Sequence, residues 1–178
     1  MQLLYFAYGS NLSSARLRAR IEDVQPVGPA LLADHRLALN KRGHDGSAKA
    51  NLVVHPGETV WGVLYQLSRR HLEALDRFEG GYARESVQVR PREGGLVEAV
   101  TYRSQRLVEG WLPFDWYRAH LVEGAREHGL PAAWIARLEA QPVQPGPPED
   151  AASAGPRAAI RSRDGSSAEG SLPGRRRE

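Results

Sequence analysis

Two short stretches carry side chains suited to chemistry. The first is Phe78-Glu79-Gly80-Gly81-Tyr82. Glu79 follows a run with helical apolar spacing and precedes two glycines, which places a carboxylate at the C-terminal end of a helix. Burial and the negative end of a helix dipole both raise a carboxylate pKa, so such a group can take and return a proton near neutrality. A surface glutamate closing a helix fits the same local sequence. Glu73 and Asp76 fall on the polar face and are weaker candidates. The second stretch is Leu4-Tyr5-Phe6-Ala7-Tyr8-Gly9-Ser10-Asn11-Leu12. An apolar strand breaks at Gly9 into a polar turn and runs into Ser13-Ser14-Ala15-Arg16-Leu17-Arg18, a helix start. Strand, turn and helix N-terminus in that order offer N–H groups and a positive dipole end to an anion. Gly9 is expected at positive φ, with its backbone open to a ligand. Ser10 and Asn11 add donors and acceptors. An ordinary capped turn satisfies this pattern as well.

Other common chemistries lack their residues. The chain has no cysteine, which removes thiolate nucleophiles, thiolate metal sites and disulfides. The six histidines (35, 44, 55, 71, 120 and 128) show no HxH or HExxH spacing, so no metal site is expected. Ser10 lacks the G-x-S-x-G elbow of serine hydrolases, and Gly9 fits no nucleotide fingerprint. No cofactor is expected. Tyr117, Lys49 and Asn51 are lesser candidates. Tyr117 sits beside Trp116 on a helix, where a core tyrosine with a satisfied hydroxyl fits equally. Lys49 and Asn51 alternate with Ala50 on a strand and are expected to face solvent.

The elements that must position these groups are short. Gln2–Tyr8 reads as a buried strand and 13–20 as a helix with Leu12 and Leu17 inward. Residues 24–30 and 33–39 read as two strands, followed by a polar loop at 40–47. Residues 49–55 and 59–67 read as two more strands, separated by a Pro56-Gly57 turn. Ser68 caps a helix from Arg69 to about Arg77 whose inner face is Leu72 and Leu75, extended by Phe78. Strands follow at 85–90 and 96–102, then helices at 116–127 and 131–140. Irregular alternation of strands and helices predicts an α+β domain with a curled or barrel-like sheet. From Gln141 the composition changes: six of the 12 prolines lie in 141–178, which has no aromatic residue. That segment is expected to be a disordered tail behind a domain at 1–140.

Composition narrows the partners. The formal net charge is only +3, and lysine occurs only at positions 41 and 49. No basic stripe is interleaved with aromatics, so a nucleic-acid partner is not expected. No apolar run reaches the ~18 residues of a membrane span, and the start lacks a signal-peptide pattern. A cytoplasmic protein without membrane association is the expectation; nothing in the sequence reads out its oligomeric state.

Several of these stretches, in this order, resemble the γ-glutamylcyclotransferase superfamily, including its bacterial-type members. The match is Tyr5-Phe6-Ala7-Tyr8-Gly9-Ser10-Asn11-Leu12, then Val60-Trp61-Gly62-Val63, then Leu75-Asp76-Arg77-Phe78-Glu79-Gly80. It ends in the helix around Tyr117 and its continuation from Gly124 to Pro131, covering roughly residues 2–140. The resemblance implies a small mixed β-barrel with flanking helices that cups a γ-glutamyl group. It implies that Tyr5, Phe6, Ala7, Tyr8, Gly9 and Ser10 hold the substrate, with Tyr117 as a further contact and Asn11 as an addition. It implies that Glu79 is the catalytic acid/base of a lyase that releases 5-oxoproline. A binding module that keeps the pocket without chemistry is the alternative, disfavoured by the retained acid. The segments 42–47 and 103–114 are expected to border the leaving group, whose identity stays open among γ-glutamyl amino acids, amines and glutathione.

Overall fold

The computed structural model describes residues 2–149. Residues up to Gly146 form one compact unit. Its centre is a closed five-stranded barrel in the order β1-β3-β2-β4-β5. The strands are β1 (Gln2–Ala7), β2 (Gln25–Arg42), β3 (Ala48–Ser68), β4 (Ala83–Pro91) and β5 (Val97–Arg103). Four helices flank it: α1 (Ser14–Arg20), α2 (Arg69–Leu75), α3 (Asp115–Glu127) and α4 (Ala132–Glu139). This is the α+β barrel that the sequence led us to expect. Neighbouring strands pair antiparallel except at the seam, where β1 meets β5 in parallel through Tyr5 and Val100.

Two long strands replace the four short ones expected. β2 and β3 run 18 and 21 residues as one bent hairpin. The Pro56-Gly57 turn exists, but as an excursion within β3. Register jumps from Ala33–Thr59 to His35–Val54, so residues 55–58 oppose Asp34 alone. The Asp34 carboxylate accepts the Gly57 N–H at 2.9 Å and closes the bulge. Such bulges let long strands bend around a small barrel.

The helices dock by local chemistry legible in the sequence. Ser13 caps α1, its hydroxyl accepting the Arg16 N–H at 3.3 Å, and Leu12 and Leu17 are fully buried. Ser68 and His71 form a reciprocal capping box on α2. Leu72 and Leu75 are buried, but Phe78 is 51% exposed and does not extend that face. The helix ends at Leu75 and tighter turns follow, which rotates Phe78 outward and Glu79 inward. α3 lies so close to the Ser10–Leu12 turn that a Cβ on Gly124 would be 2.2 Å from the Leu12 carbonyl carbon. At the far end of α3, His128 Nε2 lies 3.0 Å from Ser14 Oγ and 2.9 Å from the Tyr65 hydroxyl, tying α1, β3 and α3 together.

The chain from Gln141 to Gly146 packs on the domain, with mutual backbone bonds between Gln144 and the Pro113–Asp115 segment. Of the tail expected over 141–178, the part from residue 150 onward lies outside the described residues.

Candidate active site

Glu79 is the carboxylate at the centre of a small cavity. Its side chain is 11% exposed. Oε1 accepts two hydrogen bonds, from Asn11 Nδ2 at 2.9 Å and from Arg20 Nη1 at 3.1 Å. The same Arg20 nitrogen donates to Asn11 Oδ1 at 3.0 Å, and Asn11 Nδ2 also donates to the Tyr5 hydroxyl at 2.9 Å. Oε2 has no hydrogen-bond partner among the described residues. One oxygen is therefore anchored and the other is available. Burial raises the Glu79 pKa; the cations of Arg20, Lys41 and Arg16 and the Asn11 bond pull it back without cancelling the rise.

The cavity wall is built by β1 with the turn after it, by β3, by the segment between α2 and β4, and by α3. Tyr5, Tyr8, Gly9, Ser10 and Asn11 come from the first; Ala50, Tyr82 and Tyr117 complete it around Glu79. At about 30 Å³ it admits a slender polar group. Tyr117 crosses to β3, its hydroxyl accepting the Ala50 N–H at 2.9 Å, while Tyr82 donates to the Ala50 carbonyl at 2.6 Å. Tyr8 donates to the Tyr102 carbonyl. Burial pushes the pKa of Tyr5, Tyr8, Tyr82 and Tyr117 up, so all four remain hydroxyl donors. The first bond of the Ser10–Leu12 turn runs from the Leu12 N–H to the Gly9 carbonyl at 2.9 Å. The Ser10 and Asn11 N–H groups precede that bond and take no part in it.

The structure thus brings Glu79, Tyr5, Tyr8, Gly9, Ser10, Asn11 and Tyr117 together, and leaves Phe6 and Ala7 out of the cavity wall. Both are fully buried in the core. Phe6 contributes its backbone carbonyl to the Thr101 hydroxyl at 2.9 Å. Gly9 departs from expectation in one respect: its φ is −104°, outside the left-handed region. Space is tight at this glycine: a Cβ there would stand 3.1 Å from the Ala50 Cβ, close enough to require a shift of a few tenths of an ångström, and in ordinary contact with the Tyr117 hydroxyl at 3.5 Å.

Lys49 and Asn51 do not face solvent as expected. Asn51 is 1% exposed and exchanges two 2.9 Å bonds with the Ser104 backbone, imitating a strand partner. Lys49 stacks over Trp116 and Tyr117, 4.7 Å from each ring, and donates to Asp45 at 2.6 Å. It buttresses Tyr117 from behind. Arg20 and Tyr82 were missed by sequence reasoning. Tyr82, three residues after Glu79 and past two glycines, carried a local signal; Arg20 carried none, since nothing nearby predicts its pairing 59 residues along the chain.

Comparison with known proteins gives the chain's relatives. Residues 59–138 match the AIG2-like family. The human gamma-glutamylcyclotransferase is 33% identical over 150 residues, covering 77% of either chain, and the mouse protein is 32% identical over the same span and coverage. A solved gamma-glutamyl cyclotransferase superposes with a TM-score of 0.77 at 27% identity, covering 87% of this chain and all of that one. No helix among the described residues is long and apolar enough to cross a membrane. With relatives of that identity and extent, and with the barrel they share, the chain belongs to the γ-glutamylcyclotransferase family of enzymes.

Proposed function

We propose that the protein releases 5-oxoproline from a γ-glutamyl amide, with Glu79 as general base and then general acid. The observation that carries this reading is the asymmetric anchoring of Glu79, one oxygen fixed by Asn11 and Arg20 and the other without a protein partner. The substrate's α-ammonium gives a proton to that second oxygen. The freed amine attacks the γ-carbonyl of the same molecule and a C–N bond closes a five-membered ring. The tetrahedral intermediate collapses as Glu79 returns the proton to the departing nitrogen and the original amide bond breaks; the ring nitrogen's second surplus proton passes through Glu79 to the released amine, which leaves as an ammonium. Because nucleophile and electrophile are tethered, proximity supplies much of the rate and no enzyme nucleophile is needed. Burial that raises the Glu79 pKa suits it to both halves of this proton transfer.

Tyr5 and Tyr117, whose hydroxyls accept from Asn11 and Ala50 and keep their own protons, line the space around this carboxylate with Ser10 and Asn11, and these hydroxyls and the Ser10 and Asn11 N–H groups would hold the γ-glutamyl oxygens. Tyr117 would be oriented for this by its bond from Ala50. The test is 5-oxoproline release from a panel of γ-glutamyl amino acids and γ-glutamyl amines. Glu79→Gln should stay folded and lose turnover; turnover that survives removes Glu79 from the reaction. Thermal stabilisation by the panel without any product would instead leave a binding module.

A further inference from the structure

A second, much larger cleft adjoins the first cavity along the chain, Glu79 lining the one and Gly80 the other. Its volume is about 790 Å³, and its walls come from two segments, the hairpin loop after β2 and the run after β5. Arg42 and His44 stand on the first; Arg106, Leu107 and Trp111 stand on the second. No acidic residue lines it. Neither Arg42 nor Arg106 has a carboxylate partner among the described residues; the one carboxylate in the hairpin loop, Asp45, is turned to Lys49. The Arg42 guanidinium lies 5.9 Å from the Trp111 ring, so its charged head sits against the aromatic face at the cleft wall. Lys41, 4% exposed, donates to the carbonyl of Gly80, which lines the cleft, at 2.8 Å, while its charge acts on Glu79 and Asp45. Leu107 and Trp111 remain 54% and 37% exposed, an apolar surface beside the two guanidinium groups.

A cleft that is cationic at one edge and apolar at the other fits a ligand with a negative group and an apolar body. It repels a cationic amine. Resting on the reading of Glu79 given above, we propose that this cleft is the leaving-group subsite. It selects γ-glutamyl compounds whose departing amine carries a carboxylate and an apolar side chain. Arg42 and Arg106 bind the carboxylate, and Leu107 and Trp111 pack on the side chain. These residues set specificity and take no part in proton transfer.

The experiment uses the full chain with γ-glutamyl-phenylalanine, γ-glutamyl-phenylalaninamide and γ-glutamyl-putrescine, following 5-oxoproline. The acid should exceed the amide in kcat/KM by about 10- to 100-fold, the range of one hydrogen-bonded charge, mostly through KM. The putrescine conjugate should be poorer still. The Arg42→Gln/Arg106→Gln double variant should shrink the acid-to-amide ratio toward one. In parallel, calorimetry compares glutaryl-phenylalanine with glutaryl-phenylalaninamide; both lack the attacking amine and cannot cyclise. Tighter binding of the acid, lost in the double variant, supports the subsite even if no 5-oxoproline ever forms, in which case only the cyclotransferase reading falls. Equal turnover of acid and amide, or a ratio unchanged in the double variant, overturns the subsite and leaves that reading standing. No product and no binding of either glutaryl compound overturns both.

Discussion

Removing Arg20 should make stability depend on pH in a way that reports the charge of Glu79. Arg20 Nη1 bonds both Glu79 Oε1 at 3.1 Å and Asn11 Oδ1 at 3.0 Å, with the two charged side chains 16% and 11% exposed. Arg20→Met keeps the apolar stem beside Phe78, removes the cation and leaves a carboxylate in a site that burial already disfavours. Breaking a fully buried pair costs about 3–5 kcal/mol; partial exposure here argues for about 2–3 kcal/mol at neutral pH. For a domain of this size that is a Tm lower by about 4–12 °C. The sign with pH follows from the raised folded-state pKa of Glu79. Its protonated form is favoured by folding, so its contribution is fullest below the ordinary value of 4.5 and is lost as pH rises through the higher folded value. Without Arg20 the folded value rises further and the loss grows. Urea unfolding of both proteins at several pH values should show their difference largest at neutral pH and shrinking as Glu79 becomes protonated. The pH–rate profile of 5-oxoproline release should also move its acidic limb to higher pH. A difference in stability that does not change with pH would refute the reasoning, because it would mean that Glu79 is not the group Arg20 stabilises.

Gly124→Ala should cost about 1–3 kcal/mol despite the better helix propensity of alanine, because the new Cβ would meet the Leu12 and Ser13 backbone rather than a yielding side chain; a variant melting at or above the parent temperature would be incompatible with that contact. Tyr117→Phe should lose about 1–3 kcal/mol, since the Ala50 N–H would be left buried without its acceptor, and an unchanged urea midpoint would count against this bond. His120 is pushed down to about 4 by burial and by the nearby Arg16 and Arg20 cations, so its ring signals in an NMR titration should stay those of the neutral form at pH 6 and move only near pH 4. Because that folded value is depressed, protonating His120 destabilises the fold as pH falls from the ordinary 6.5 through about 4.

What could be read without coordinates was what depends on neighbours in the chain. Ser13 and Ser68 cap helices because their hydroxyls reach N–H groups three residues on, and that spacing is visible in the letters. Glu79 stood out because two glycines follow it. The long hairpin was not legible: Pro56-Gly57 has every mark of a turn between strands, and only the partner Asp34 on β2 makes it a bulge. Asn51 was read as solvent-facing because alternation gives only which residues share a face. Its burial depends on Ser104, 53 positions away. Gly9 was assigned a positive φ from its residue type, whereas what marks it is tight space, set by Ala50 from elsewhere in the fold. Phe78 shows a third kind of miss, since a helix that ends three residues before it rotates the apparent stripe away from the core.

The parallel seam between β1 and β5 has a consequence for biosynthesis. The strand β1 is flanked by β3 and β5, and the turn after it is roofed by α3 at Gly124. The strand β1 thus leaves the ribosome before its partners β3, which ends at Ser68, and β5, which ends at Arg103, and the turn after it has no roof until α3, which ends at Glu127, has emerged. Contacts of such long sequence separation form slowly, and exposed strand edges invite mispairing in the interval. A chain released by premature termination before α3 would hold both Glu79 and Asn11, yet have no roof to fix the turn between them. Chaperone demand in the cell should therefore fall on β1 and the turn after it, and a ribosome-stalled series of lengths should gain protease resistance abruptly once α3 clears the exit tunnel.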